Sequence, residues 1–128
     1  MSTVTHINPP DLHASPVYSQ GTVCETGRTL YVGGQNGTDG KGDISGGIAE
    51  QTTQALRNVL SVLAAAGAGP EHVARLAVYL VADADLDAAF GAAMAVWGQQ
   101  PTAITVLRVA GLGRPEALIE IEATAALP

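Results

Sequence analysis

At 128 residues, 47% of them hydrophobic and 14% charged, the chain is sized for one domain, residues 1–128, whose core needs neither a disulfide nor a structural metal. Its formal net charge of −6, from 6 basic and 12 acidic residues, argues against nucleic acid or an anionic membrane as partner, because phosphate contacts need clustered Lys and Arg. A lone Cys24, no apolar run of the roughly 18 residues that a membrane span requires, and no signal-peptide pattern place the expected setting in the cytoplasm.

Residues 1–16 are rich in Pro, His and Asn without a sustained period and read as an N-terminal arm. Two short β-type runs follow, 17–25 and 29–35, and Thr26-Gly27-Arg28 between them is a hairpin signal. Residues 36–47 hold five glycines among polar residues and form a loop, a linker or lid. No Lys-Ser/Thr closes a P-loop there, and no G-x-G-x-x-G follows a strand. From Ile48 to Ala66 the apolar positions Ile48, Ala55, Leu56, Val59, Leu63 and Ala66 recur at helical spacing, and Gly67 supplies the stop. Residues 72–81 return to period two. Asp83 or Asp85 can cap a second helix over 86–97, whose apolar stripe is Leu86, Phe90, Ala93, Met94 and Trp97, with Phe90, Met94 and Trp97 assigned to the core. Strands over about 103–110 and 117–126 end the chain.

Two helices cannot cover both faces of a sheet, so they share one face in an α+β sandwich. On the last strand Ile119, Ile121, Ala123 and Ala125 suit the covered face, which leaves Glu120, Glu122 and Thr124 on the open one. On the strand before it, Ile104, Val106 and Arg108 alternate with Ala103, Thr105, Leu107 and Val109. An open face that is part apolar and part carboxylate calls for self-association. The low share of charged residues points the same way.

Seven blocks, in order, are similar to the reactive-intermediate deaminase family (RidA, or YjgF/YER057c/UK114): Pro16-Val17-Tyr18-Ser19-Gln20, Tyr31-Val32-Gly33-Gly34-Gln35, Gly47-Ile48-Ala49-Glu50-Gln51-Thr52, Gln54-Ala55-Leu56-Arg57-Asn58-Val59, Ala65-Ala66-Gly67, Val78-Tyr79-Leu80 and Ile119-Glu120-Ile121-Glu122-Ala123. The resemblance implies a chorismate-mutase-like fold, a mixed sheet with two helices on one face, assembled as a homotrimeric barrel with clefts between subunits. It implies an enzyme that hydrolyses imines or enamines to a carbonyl and ammonia, with a small-molecule substrate and no cofactor. Carried over by position, Glu120 handles the attacking water, Tyr18 lines the cleft, and Gly33 and Gly34 form its wall. The family's carboxylate-gripping arginine falls on Ile104, which offers no donor. Ile104, Val106 and Arg108 complete the expected substrate-binding set.

Losing a guanidinium–carboxylate fork costs about 2–5 kcal/mol where the charge is buried, so small 2-imino acids are not the expected substrates. Three other readings stay open: a biosynthetic catalyst of imine formation, tautomerisation or cyclisation; a non-enzymatic ligand-binding trimer; and an endoribonuclease, which fits poorly with an acidic chain. Cys24 reads as a small core residue, and His6, His13 and His72 lack metal-ligand spacing. Glu122 reads as structural or inter-subunit, and Asn58 and Gln51 as sheet-reaching, capping or solvent-facing.

Overall fold

The computed structural model describes residues 3–25 and 27–128. In chain order its elements are β1 (Val4–Ile7), β2 (Gly21–Cys24), β3 (Thr29–Gln35), α1 (Ile48–Ala65), β4 (Val73–Val81), α2 (Leu86–Trp97), β5 (Ala103–Val109) and β6 (Ile119–Ala126). The main sheet runs β3-β6-β4-β5. β6 is antiparallel to both of its neighbours, and the edge strand β5 is parallel to β4. A parallel neighbour cannot be reached by a tight turn, and α2 supplies the crossover.

Both helices lie on one face, in the mixed α+β arrangement that the residue pattern predicts. Ala55, Leu56, Val59 and Leu63 of α1 and Ala89 and Trp97 of α2 share one core with Leu76, Leu80, Ile119, Ile121, Ala123 and Ala125 of the sheet. Strict alternation on β6 sets this layer: its odd-numbered residues from Ile119 to Ala125 are buried, while Glu120, Glu122 and Thr124 are half-buried on the other side. The α1 stop falls at Gly67, and Asp85 caps α2, its Oδ1 accepting from the Ala88 N–H at 3.1 Å.

The predicted hairpin does not form. β2 pairs with β1, Val4 opposite Cys24 and Ile7 opposite Gly21, whereas β3 pairs with β6. The cause is apolar content. β3 brings Val32 (3% exposed) and Leu30 to the core opposite Ala123 and Ala125; β2, with Val23 half exposed, has no comparable face. Of the hairpin's proposed turn, Thr26 lies outside the described residues.

Residues 3–16, the described part of the predicted arm, are likewise more than an arm. Val4 is buried with Ala74 and Ala126 in a small second cluster, Thr3 Oγ1 donates to the Ala126 carbonyl at 2.8 Å, and Thr22 Oγ1 donates to that of Ala74 at 2.6 Å. Cys24 is exposed rather than in the core, because β2 stands outside the main sheet. Phe90 (47% exposed) and Leu86 (45%) are also outside the core, at the open rim of a cavity between α2 and the sheet. None of the described helices is long and apolar enough to cross a membrane.

Leu63, fully buried between α1 and the sheet, tests the core assignment. Leu63→Ala should destabilise the protein by about 2–5 kcal/mol, read as a lower urea midpoint. Leu107→Ala, on a side chain 48% exposed, should cost well under half of that.

Candidate active site

The sequence-predicted site residues fall into two groups on opposite faces of the sheet. The first surrounds Glu120. Between Val32 and Gln35 the β3–β6 register slips by one residue, a bulge that falls on Gly33 and Gly34 and re-aims the strand. The Glu120 carboxylate lies directly against Gly34; a Cβ there would run into Oε2 and come within 2.8 Å of Cδ. Gly34 is therefore the seat of the carboxylate, as well as part of a wall.

Asn36 Nδ2 donates to Glu120 Oε1 at 3.3 Å and to the Ile119 carbonyl at 3.1 Å. The backbone of Asn36 is held in turn, its carbonyl accepting from Asn58 Nδ2 at 3.2 Å. Asn58 also donates to the Thr38 carbonyl at 2.9 Å, and its Oδ1 accepts from Gln54 Nε2 at 2.8 Å. A row of amides on α1 thus fixes the loop that orients one oxygen of Glu120. Among the described residues, Oε2 has no hydrogen-bond partner.

Gln51 holds the neighbouring loops. Its Nε2 donates to the carbonyls of Gly46 and Glu116, and its Oε1 accepts from the Leu118 N–H at 2.8 Å. Gly37 allows the glycine-rich loop to settle on α1, since a Cβ there would come within 2.8 Å of the Gln51 backbone. The loop is ordered by Asp39, whose Oδ1 accepts from the N–H groups of Lys41 and Asp43. Those bonds hold its carboxyl below the ordinary carboxylate range. Arg114 fastens the loop from outside, Nη1 donating to the Gly42 carbonyl.

Beside Glu120 on the open face, Tyr79 stands opposite it on β4 and donates its hydroxyl to Glu122 Oε1 at 2.5 Å. That hydrogen bond to a carboxylate raises the Tyr79 phenol above its ordinary value of 10.0. Glu122 therefore has a structural partner. Arg75, on the same face, donates to Thr105 Oγ1 at 3.2 Å.

The second group sits at the β5 edge on the helix side. Ile104 pairs with Leu76, Val106 with Val78 and Arg108 with Leu80, and Leu76 and Leu80 are core residues. Ile104 (39% exposed) and Val106 (43%) line the mouth of an apolar cavity under α2, together with Val17. Arg108 Nη1 is engaged with the carbonyls of Ala82 (3.0 Å) and Ala84 (2.9 Å), which fastens the loop leading into α2. Tyr18, half-buried, is placed by its neighbour Ser19: the Ser19 N–H donates to the Thr102 carbonyl and its Oγ to that of Pro101, with His6 Nδ1 at 2.7 Å from Oγ. Tyr18 therefore stands at the β5 side, away from Gly33, Gly34 and Glu120. Among the described residues, no three His, Cys, Asp or Glu side chains group to hold a metal ion.

Sequence reasoning left out Asn36, Val17 and Asp39, and gave Gln51 and Asn58 no definite task. An Asn directly after Gly-Gly-Gln was the one local signal for Asn36, and only the fold shows what it reaches.

Residues 10–127 match the family described as Endoribonuclease L-PSP. The chain belongs to this family. Over 98% of its length it is similar to the crystal structure of a Rid-family protein of unknown function from Yersinia pestis, with 36% identity, 99% of that chain covered and a TM-score of 0.87. A member of the YjgF/YER057c/UK114 family from Mycobacterium tuberculosis follows at 26% identity and a TM-score of 0.67, covering 97% of this chain and 99% of that one. The human 2-iminobutanoate/2-iminopropanoate deaminase is 40% identical over 65 residues, 49% of this chain and 46% of that protein. The matched segment thus spans about half the length of this curated relative. These likenesses agree with the family assignment over the whole fold.

Gly34→Ala should displace the Glu120 carboxylate while leaving the fold intact, because the collision is with a side-chain tip. The check is the side-chain carboxyl resonance of Glu120 by NMR, which should move at unchanged far-UV circular dichroism. For Tyr79, a phenol whose value is raised in the folded state contributes stability that is present below about pH 10 and lost as pH rises through the folded value. Ultraviolet titration should show one tyrosine ionising above the others, and Glu122→Gln should bring it back toward the ordinary range.

Proposed function

We propose that the protein hydrolyses an imine or enamine of a small metabolite to a carbonyl compound and ammonia, with Glu120 as the proton-handling group. The observation that carries this reading is the state of the Glu120 carboxylate. It rests on Gly34, one oxygen is oriented by Asn36, and among the described residues the other has no hydrogen-bond partner. Such an oxygen can accept a proton from a water molecule while that water attacks the C=N carbon. The same carboxyl returns that proton to the nitrogen to give the carbinolamine, then carries the hydroxyl proton to the amine as the C–N bond breaks, leaving the carbonyl compound and ammonia. Similarity to the human deaminase supports the reaction class.

Glu120 and Ile104 cannot meet one ligand within a single chain. They lie on opposite faces, and β4 stands between their strands, a lateral separation of about 10 Å before the sheet thickness is added. We infer that the site is built between copies, with Gly33, Gly34 and Glu120 of one chain facing Tyr18, Ile104 and Val106 of its neighbour. A homotrimer with three such clefts, the assembly that the family resemblance implies, satisfies this demand. Ile104 stands where the resemblance expects a carboxylate-binding arginine, and Arg108 is already spent on two backbone carbonyls. The preferred substrate is therefore an imine without a small 2-carboxylate, and this reading needs no cofactor, metal, nucleic acid or membrane.

The test is turnover of imines generated in situ, followed by ammonia release. Glu120→Gln should lower kcat at least about 100-fold with KM little changed, and Ile104→Arg should raise kcat/KM on 2-iminopropanoate by roughly 30-fold or more. Full turnover in Glu120→Gln would remove the proposal. Ligand binding without turnover on any imine would instead show a binding trimer that has lost the chemistry.

A further inference from the structure

A cavity of about 130 Å³ lies inside one chain, between α2, the start of α1 and the β4–β5 edge. Its walls are almost wholly apolar, with Leu56, Phe90 and Met94 opposite Ile104 and Val106. Besides Gln100 at its edge, two buried residues on that wall break the pattern. Thr52 (1% exposed) and Trp97 (9%) both line it, and among the described residues the buried Thr52 hydroxyl and Trp97 indole N–H have no hydrogen-bond partner. Buried polar groups are nearly always satisfied, and a hydroxyl on a helix commonly turns back to the carbonyl four residues earlier. Neither rule is met here, and both exceptions border the same empty space.

We infer that this cavity is a ligand pocket for an uncharged, mainly apolar group bearing one oxygen acceptor. The indole N–H is a donor only, so its partner must accept, and a hydroxyl can donate to the same ligand or accept from it. Size sets the scale: apolar cavities of roughly 150 Å³ take up a benzene-sized molecule, so the occupant has about six heavy atoms inside the wall. A charged group is excluded, because none of the described residues lining the space carries a charge. Ile104 and Val106 belong both to this pocket and to the proposed cleft. The group is thus the side chain of the substrate, a carbonyl- or ether-bearing chain or ring, an assignment that rests on the imine-hydrolysis reading. The pocket itself does not rest on it.

Trp97 is the only tryptophan, so the intact protein labelled with ¹⁵N gives a single indole N–H resonance at the wall. Cyclopentanone, a six-heavy-atom ketone, should move that resonance downfield saturably. Cyclopentane, the same ring without oxygen, should bind about tenfold more weakly and cause no downfield shift. Ala93→Met, which fills the space, should weaken the ketone at least tenfold, and Thr52→Val should weaken the ketone but not the hydrocarbon. Should Ala93→Met fail to fold, Thr52→Val carries the test alone.

An indole signal that ignores the ketone, or shifts linearly without saturation, overturns the pocket. So does a signal that moves only with protein concentration, which would mean that a side chain of a neighbouring copy fills the space. Saturable ketone binding without turnover of any imine would sink the hydrolase reading and keep the pocket. Imine turnover with no indole response would do the reverse. With both in place, imines carrying a five- or six-atom oxo chain should exceed 2-iminopropanoate at least tenfold in kcat/KM, and Ala93→Met should erase that preference.

Discussion

Strand β6 is the member on which the other elements depend. It is hydrogen-bonded on both sides, to β3 and β4, so its register is fixed at every residue. A slip of one position would place Glu120 and Glu122 in the core and carry Ile119 and Ile121 to the open face. The desolvation of two carboxylates would oppose that slip far more strongly than the loss of apolar burial alone. The same alternation that assembles the core therefore holds the Glu120 carboxylate on the outer face. What remains for local structure is its final orientation, and the bulge at Gly33 and Gly34 with the Asn36 amide supplies it.

The division of the expected cleft residues between two faces gives the oligomer argument its force. Alternation alone pointed to self-association through an open face carrying carboxylates and apolar groups. The structure adds a second, independent requirement: the apolar wall of Ile104 and Val106 is turned toward α2, away from Glu120. Exposed Phe90 and Leu86 lie on the same side as that wall. One chain thus carries the proposed site as two separate parts, the Glu120 carboxylate on the open face and the apolar wall on the helix side.

The helices and the long strands were legible in the residues because their signals are local and periodic. The span of α2, 86–97, and the faces of β6 follow from spacing alone. Pairing was less legible. The partner of β2 was misassigned because a Gly-containing turn is a local signal, whereas the choice between β1 and β3 was decided by how much apolar surface each brought to a distant core. Phe90 and Cys24 were misplaced for a related reason: hydropathy says what a residue prefers, and only the neighbours in space say whether that preference is met. The face on which Glu120 lies was read from alternation, yet Asn36, some 84 residues away in the chain, has no sequence signal that links it to that carboxylate. The ties made by Gln51 and Asn58 are equally nonlocal.

The three bonds made by Gln51 join two stretches of backbone that would otherwise move separately: the end of the glycine-rich loop at Gly46, and the approach to β6 at Glu116 and Leu118. One amide side chain, 3% exposed, acts as a rivet between them. Fluctuations of the two segments are consequently shared rather than independent, so any loosening of the loop is felt at the root of the strand that bears Glu120. Ordering that loop stiffens the base of the same strand.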